Sequence, residues 1–251
     1  AAGSTIVYAS ATGANVSALV YSNLSIAGSG TFALAGSPTI VGTLTLSSGD
    51  LSIGANTLTL NGPVAVGSGT LTGGASASLN IGGSGAGITL PGIAGGLNNL
   101  TLNRANGATL TGPVSVGGAL TLTSGQLAGA SNLTLGNGAS ISRAAGSLDA
   151  APTFAGTVNV TYTATGVTTG PELPAADSAL NNLTINSGVA VTLGSSATVN
   201  GTLTLATSTS TLADGGNTLS VKGTISNSGA HSSTGAGKIR FNGTAAQSFA
   251  G

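Results

Sequence analysis

The sequence has no cysteine, methionine or tryptophan, and it carries very little charge. Ten of its 251 residues are charged, five of each sign, which is 4% of the chain against about 25% in an average soluble domain. Without cysteine the chain can form neither a disulfide framework nor a cysteine-ligated metal site. Five basic residues balanced by five acids do not provide a basic footprint, so we expect no nucleic-acid partner.

Residue types that carry catalysis are also scarce, since general acids, general bases and metal ligands come mostly from His, Cys, Asp and Glu. His231 is the only histidine, and it lies in the turn-like segment 229–233. The five acids are Asp50, Asp149, Glu172, Asp177 and Asp214, and only Glu172 and Asp177 are close in sequence. The sequence therefore predicts no enzymatic activity, no catalytic or metal-binding residues and no cofactor.

Long apolar runs are missing as well. No stretch approaches 18 uninterrupted apolar residues, so we expect no membrane-spanning helix. The chain is nevertheless 40% apolar with zero net charge, which differs from the composition of disordered proteins. We therefore expect a folded chain with an apolar core and no membrane span.

Internal repetition is what the sequence has in abundance. A first block, Asn-Leu followed by Ser or Thr and then Ile or Leu, occurs at 23–26, 99–102 and 182–185. A second block, Leu-Thr-Leu, follows about 20 residues later each time, at 44–46, 120–122 and 203–205. The pattern indicates a single domain over 1–251 built of three long repeats, approximately 1–76, 77–155 and 156–251.

Within the repeats, apolar residues alternate with Thr, Ser or Asn, as in Leu44-Thr45-Leu46. A period of two is typical of a β-strand with one buried face and one solvent face. Asn-Gly, Gly-Gly, Ser-Gly and Gly-Pro pairs separate the alternating segments and indicate turns. Because 43 glycines would make helices costly, we predict an all-β chain.

Short strands with short turns fit either an antiparallel sandwich or a parallel β-solenoid. We favour a single-stranded parallel β-solenoid (β-helix), because the units resemble one another, as stacking of equal neighbours requires. The inward residues are of nearly one size, and the turns are rich in Asn and Ser, which can form ladders between coils. With roughly 19 residues per coil, the chain would form about 13 coils and a rod of about 60 Å.

One stretch departs from the pattern. Segment 164–180 contains Pro171, Glu172, Pro174 and Asp177. Because proline cannot donate a ladder hydrogen bond, we expect a loop excursion from the coil here. We interpret the segment as a surface insertion, with a recognition loop as the alternative.

Aromatic residues concentrate near the two ends of the chain, at Tyr8, Tyr21, Phe32, Phe241 and Phe249. The final segment, 237–243, resembles the strand that precedes the first block of each repeat, so the chain stops where a further repeat would begin. Ends that keep the repeat pattern without a charged cap expose unpaired backbone groups.

We therefore expect head-to-tail stacking of identical copies, a heterologous contact that does not close and so grows a filament. The candidate polymer interface consists of Thr5, Ile6, Val7, Tyr8 and Tyr21 on one side and Ile239, Arg240, Phe241 and Phe249 on the other. Two alternatives remain open: the aromatics seal an ordinary capped end, or the chain is an excerpt of a longer repeat protein.

The motifs Asn-Asn-Leu-Thr-Ile, Gly-Thr-Leu-Thr-Leu and Asn-Thr-Leu-Thr-Leu, together with segment 241–249, resemble the Gly/Thr-rich repeats of large bacterial surface and secreted proteins. These include β-helical adhesins of the filamentous-haemagglutinin and autotransporter type and related repeat proteins of Bacteroidota-like bacteria. The resemblance covers nearly the whole chain. It implies export to the cell exterior, a structural or adhesive role without catalysis, and surface glycans or other matrix components as further partners.

The expected function is that of a structural extracellular protein, the subunit of a self-assembling cell-surface filament or sheath. A first alternative is a repeat module of a bacterial surface adhesin, with binding located in 164–180. A second is an ice-binding β-solenoid, since rows of Thr-x-Thr can order water. That spacing occurs at Thr43/Thr45, Thr57/Thr59 and Thr202/Thr204, and Val64-Ala65-Val66 and Val114-Ser115-Val116 interrupt it.

Overall fold

The computed structural model describes residues 3–175 and 177–250, with the side chain of Ala250 excepted. The chain is an all-β parallel solenoid, which confirms the predicted fold class. It has about twelve coils rather than 13, because successive coils are nearer 20 residues long and one coil is enlarged by segment 169–179. Every strand pairing in the described ranges is parallel, so the alternative of an antiparallel sandwich is wrong.

The coils are built from short strands and one 3₁₀ turn, Ala130–Asn132. In chain order the strands are β1 (Thr5–Tyr8), β2 (Ala14–Val16), β3 (Val20–Tyr21), β4 (Asn23–Ile26), β5 (Thr31–Leu34), β6 (Thr39–Ile40), β7 (Leu44–Leu46), β8 (Asp50–Ser52), β9 (Thr57–Leu60), β10 (Val64–Val66), β11 (Thr70–Thr72), β12 (Ser78–Ile81), β13 (Ile88–Leu90), β14 (Ile93–Ala94), β15 (Leu97–Asn103), β16 (Ala108–Leu110), β17 (Val114–Ser124), β18 (Gln126–Ala128), β19 (Leu133–Leu135), β20 (Ser140–Arg143), β21 (Ser147–Leu148), β22 (Thr153–Phe154), β23 (Val158–Tyr162), β24 (Val167–Thr168), β25 (Leu180–Ile185), β26 (Ala190–Thr192), β27 (Ala197–Val199), β28 (Leu203–Leu205), β29 (Thr211–Ala213), β30 (Thr218–Val221), β31 (Ile225–Asn227), β32 (Ala230–Ser232), β33 (Lys238–Phe241) and β34 (Phe249–Ala250).

The coils form three faces. The first face stacks β1-β4-β7-β10, then β13-β16-β18-β21, then β24-β26-β29-β32. The second stacks β2-β5-β8-β11-β14, then β19-β22, which is joined to the first part of β17, then β27-β30-β33. The third face is one continuous sheet, β3-β6-β9-β12-β15-β17-β20-β23-β25-β28-β31-β34. Among the described residues it is the only one of the three faces that runs uninterrupted along the rod.

The core is a set of aliphatic ladders inside the rod. On the third face Leu58, Leu79, Leu100 and Leu120 lie directly over one another, and none of them is exposed to solvent. Parallel stacking in register follows from the alternation, because a slip of one residue would turn every leucine outward. Each fully buried leucine stabilises the fold by about 1.5–3 kcal/mol, so the repeated ladder is the main source of stability.

The asparagine of the first sequence block ties adjacent coils together. The Asn23 side-chain oxygen accepts a hydrogen bond from the Thr43 amide at 2.8 Å. Asn182 does the same for the Thr202 amide at 2.7 Å. The two blocks recognised in the sequence are therefore neighbours in stacked coils, and this bond accounts for their constant separation of one coil.

Segment 164–180 leaves the strand pattern but keeps its centre inside the rod. It contributes β24 to the first face, and residues 169–175 and 177–179 stand where a strand of the second face would lie. Glu172 and Leu173 in this stretch are buried, and Leu173 joins the core cluster. The predicted excursion is therefore a packed replacement for a strand, with Ala175 and residues 177–178 exposed.

Candidate functional site at the two ends of the solenoid

The first coil offers three strand edges, from β1, β2 and β3, one on each face. Ile6 is aligned with the buried Leu24 of the next coil and is an inward residue, yet 44% of it is exposed. Its exposure follows from its place in the stack, since no further coil of this chain covers β1. Val7 and Val20 are also exposed, but they are aligned with the outward Ser25 and Thr39 of the next coil.

The two tyrosines predicted for the interface are placed differently. Tyr8 is partly buried and packs edge-on against Phe32, with ring centroids 6.3 Å apart. Tyr21 is buried in the core, and its hydroxyl donates to the Ser17 carbonyl at 2.8 Å. The structure therefore brings Thr5, Ile6, Val7 and Tyr8 together on β1, whereas Tyr21 lies on β3 of the same coil with its side chain in the interior.

The hydroxyls of Tyr8 and Tyr21 are 3.2 Å apart, and they shift each other's pKa in opposite directions. Burial raises the pKa of Tyr21, and its hydrogen bond with Tyr8 raises it further. Burial also acts to raise the pKa of Tyr8, but hydrogen bonds from Tyr21 and Ser17 outweigh it and lower the pKa. Segment 3–22 contains no Asp, Glu, Lys, Arg or His, so the inner side of the first coil carries no residue of these charged types.

The last coil likewise offers three edges, from β32, β33 and β34. Phe241 and Phe249 are 48% and 61% exposed, and their rings meet edge to face with centroids 6.4 Å apart. With Ile239 they border a cavity of about 180 Å³ whose floor is the end of the aliphatic ladder. Arg240 is exposed and is paired in register with Ser220 on the outer side of the sheet.

Sequence reasoning missed His231 as part of this end. His231 is aligned with the buried Leu212, so it occupies an inward position of the last coil, and it lines the same cavity. Its Nε2 atom lies 3.3 Å from Oδ2 of Asp214. An alignment of Thr211-Leu212-Ala213 with Ala230-His231-Ser232 would have identified the position.

Asp214 is fully buried and anchors the last turn. Its Oδ1 accepts hydrogen bonds from the amides of Gly216 and Thr234 at 3.0 and 3.1 Å. Burial acts to raise the pKa of Asp214, but hydrogen bonds from Ser233 and these amides, together with His231, lower it. The carboxylate therefore stays charged and holds the last coil to the one before it.

The other acids also serve to join coils. Asp50 accepts from the hydroxyls of Thr70 and Thr72, and Asp177 accepts from the hydroxyl of Thr198 at 2.9 Å. Over 3–175 and 177–250, no group of three His, Cys, Asp or Glu side chains is placed to hold a metal ion. The acidic side chains are thus used to join coils.

None of the described residues belongs to a helix of the length and apolarity needed to cross a bilayer. Comparison of the chain with protein-family models, with curated proteins and with solved structures finds no match. The two open ends of the rod therefore form the candidate functional site on geometry alone.

Proposed function

We propose that the chain is a structural rod that stacks end to end with further copies of itself into a filament on the outside of the cell. The observation that carries the proposal is the match between the two ends. Each end presents three parallel strand edges, one per face, in the same chain order. Unpaired edges of this kind are templates for another strand.

The order of the faces determines which strands pair at the joint between two copies. If the rod continues without a change of face, β1 of one copy pairs with β32 of the next, β2 with β33, and β3 with β34. The inward Ile6 then covers the side of the cavity lined by His231, and the interior beside Tyr21 meets Phe249. Burial of these apolar groups supplies the driving force, and the new ladder bonds supply the direction.

The first coil lacks protection against such pairing, and the last coil carries it only in part. Native sheets protect their edges with prolines, charged side chains or a covering element. Segment 3–22 contains no proline and no charged side chain, whereas segment 228–250 contains no proline and no acid but carries Lys238 and Arg240 on β33. The bases of the last coil therefore meet no like charge on the first coil of a second copy.

The composition suits exposure outside the cell. A chain without cysteine or methionine has no side chain of the easily oxidised types. Few ionisable groups leave few ways for pH to change its stability. Antibody labelling of intact cells of the source organism tests the location: surface labelling supports it, and labelling only after permeabilisation contradicts it.

Phe241→Asp tests the joint, because it puts a charge into the apolar cavity at the end of the rod. We expect the unmodified chain to sediment as a concentration-dependent series of oligomers and the variant to lose at least tenfold in association constant. Val66→Asp is the matched control, since Val66 is 50% exposed but lies on the side of the rod, in β10. A chain that remains monomeric at all concentrations, or a Phe241→Asp chain that associates like the control, contradicts the proposal.

A further inference from the structure

Over ten successive coils, the outer side of the continuous third face carries an unbroken row of polar side chains, and Val20 occupies the same register position in the first coil. Pairwise register places its ten members over one another in ten successive coils: Thr39, Thr59, Asn80, Thr101, Thr121, Ser142, Thr161, Thr184, Thr204 and Ser226. Each is flanked in sequence by inward residues. We call this set the hydroxyl row, since nine of its members are Thr or Ser.

A second polar row runs beside it, two residues earlier in each strand. It includes Thr57, Ser78, Asn99, Ser140 and Asn159, with Ala119 as the one apolar member of that stretch. Neighbouring strands in a sheet are about 4.8 Å apart, and residues i and i+2 about 6.7 Å. The two rows therefore form a two-dimensional array of polar groups with a fixed spacing in both directions.

The structure also corrects how the Thr-x-Thr pattern is read. Of the three pairs noted in the sequence, Thr57/Thr59 and Thr202/Thr204 lie on the third face, whereas Thr43/Thr45 lies on the first. The interrupting segments Val64–Val66 and 114–116 belong to the first and second faces. They do not break the row.

The hydroxyl row has no partners within the rod. In the part of the chain that the structure describes, none of its ten side chains makes a hydrogen bond to another protein group. The second row differs, because Asn99 donates to Ser78 at 3.1 Å and Asn182 donates to Asn159 at 2.8 Å. The second row is thus tied into the coils, whereas the first offers its donors and acceptors to whatever lies outside.

The outer side of this sheet is also free of charge and of aromatic rings. Among its described strands the one charged residue is Arg143, aligned with the inward Leu122. The aromatic residues Tyr21, Tyr162 and Phe249 are aligned with inward residues as well. The face is therefore suited to a neutral partner with a regular lattice of hydrogen-bonding groups, and it lacks the rings on which a sugar would stack.

We propose that the hydroxyl row and its neighbouring row bind ice. A Thr hydroxyl both donates and accepts, so each coil can hold water in a fixed position. Thr is stiff about its first side-chain torsion, so little side-chain entropy is lost on binding. Each coil contributes weakly, but ten coils engage the same lattice at once, and their contributions add along the rod. The inference does not depend on end-to-end stacking.

Partitioning of the chain into slowly grown ice tests the proposal. Thr101→Lys with Thr121→Lys introduces two bulky charges into adjacent coils of the hydroxyl row. Thr89→Lys with Thr109→Lys is the matched control, because Thr89 and Thr109 are exposed and adjacent on the first face. We expect the unmodified chain and the control to enter the ice, and the row variant to fall at least fivefold in the ice fraction.

Three outcomes would overturn the proposal. The first is that the unmodified chain is excluded from ice like an ordinary soluble protein. The second is that the row variant enters ice as well as the control does. The third is that the unmodified chain sediments with an insoluble neutral polysaccharide but is excluded from ice, which would mean that the row binds a different lattice. Circular dichroism of all three chains verifies that the substitutions leave the strands intact.

Discussion

Arg143 and Glu172 form an ion pair inside the rod. In the two neighbouring coils, the residues aligned with Arg143 are Leu122 and Tyr162. Glu172 is fully buried, and its Oε1 also accepts from the Tyr162 hydroxyl at 2.8 Å and the Gly170 amide at 2.9 Å. Burial raises the pKa of Tyr162, and the charge of Glu172 raises it further. The pair holds Gly170 and Glu172 in the rod where the second face lacks a strand.

Loss of one partner should destabilise the chain strongly, because it leaves a buried charge without its counter-ion. We expect Glu172→Gln to lower the free energy of unfolding by about 3 kcal/mol. Urea unfolding followed by circular dichroism measures it. The double variant Arg143→Leu with Glu172→Leu should recover part of the loss, because leucine continues the aliphatic ladder of Leu122. A double variant less stable than Glu172→Gln contradicts this account.

Arg104 is buried without an acidic partner, and its guanidinium donates to the carbonyls of Asn61, Gly82 and Ala86 in neighbouring coils. Burial lowers the pKa of Arg104. Arg104→Met should cost about 2 kcal/mol or more, because it leaves buried carbonyl groups without donors. Urea unfolding should show this loss, whereas the exposed Arg240→Lys should change stability by less than about 0.5 kcal/mol. Equal effects would mean that the carbonyl contacts contribute nothing.

Two glycines with the same backbone conformation should differ sharply on substitution. Gly125 and Gly138 have φ of 78° and 81°, so alanine is strained at both, by about 1–2 kcal/mol. A Cβ at Gly125 would lie 1.9 Å from the Arg104 carbonyl oxygen, whereas one at Gly138 would meet nothing within 4 Å. Gly125→Ala should therefore reduce the melting temperature well beyond Gly138→Ala. Equal shifts would show that the coils are not this closely stacked.

Acid should weaken the rod through its hydrogen-bonded carboxylates. Burial acts to raise the pKa of Asp149, but the amides of Ala130 and Gly129 donate to the carboxylate and lower the pKa below 3.8. A lowered folded pKa means that the stabilisation is present above the unfolded pKa and is lost as pH falls through the folded one. Urea unfolding should find Asp149→Asn less stable than the parent at pH 7, and the difference should shrink as the pH is lowered below 3.8. A difference that persists in acid contradicts the assignment.

The regular part of the molecule is predictable because a strict alternation determines which side chains enter the core. Leu120 and Leu203 follow from that rule and are fully buried. Arg143 and His231 occupy inward positions that polar residues normally avoid, so the same rule places them outside. Their positions depend on Glu172 and Asp214, which come from other coils.

The face that each strand joins could not be predicted from the sequence either, for a geometric reason. Coils vary in length, and the coil that contains β24 has no strand on its second face. Spacing alone therefore does not tell which face a strand joins. For that reason the hydroxyl row appeared in the sequence as an interrupted pattern, although Thr101 and Thr121 are direct neighbours.

Electron microscopy of the purified chain over a range of concentrations tests the central claim most directly. End-to-end stacking predicts continuous fibres one solenoid wide, with strands perpendicular to the axis and an axial repeat of about 58 Å for twelve coils. Isolated rods of about that length at every concentration, or fibres in which rods lie side by side, would contradict it.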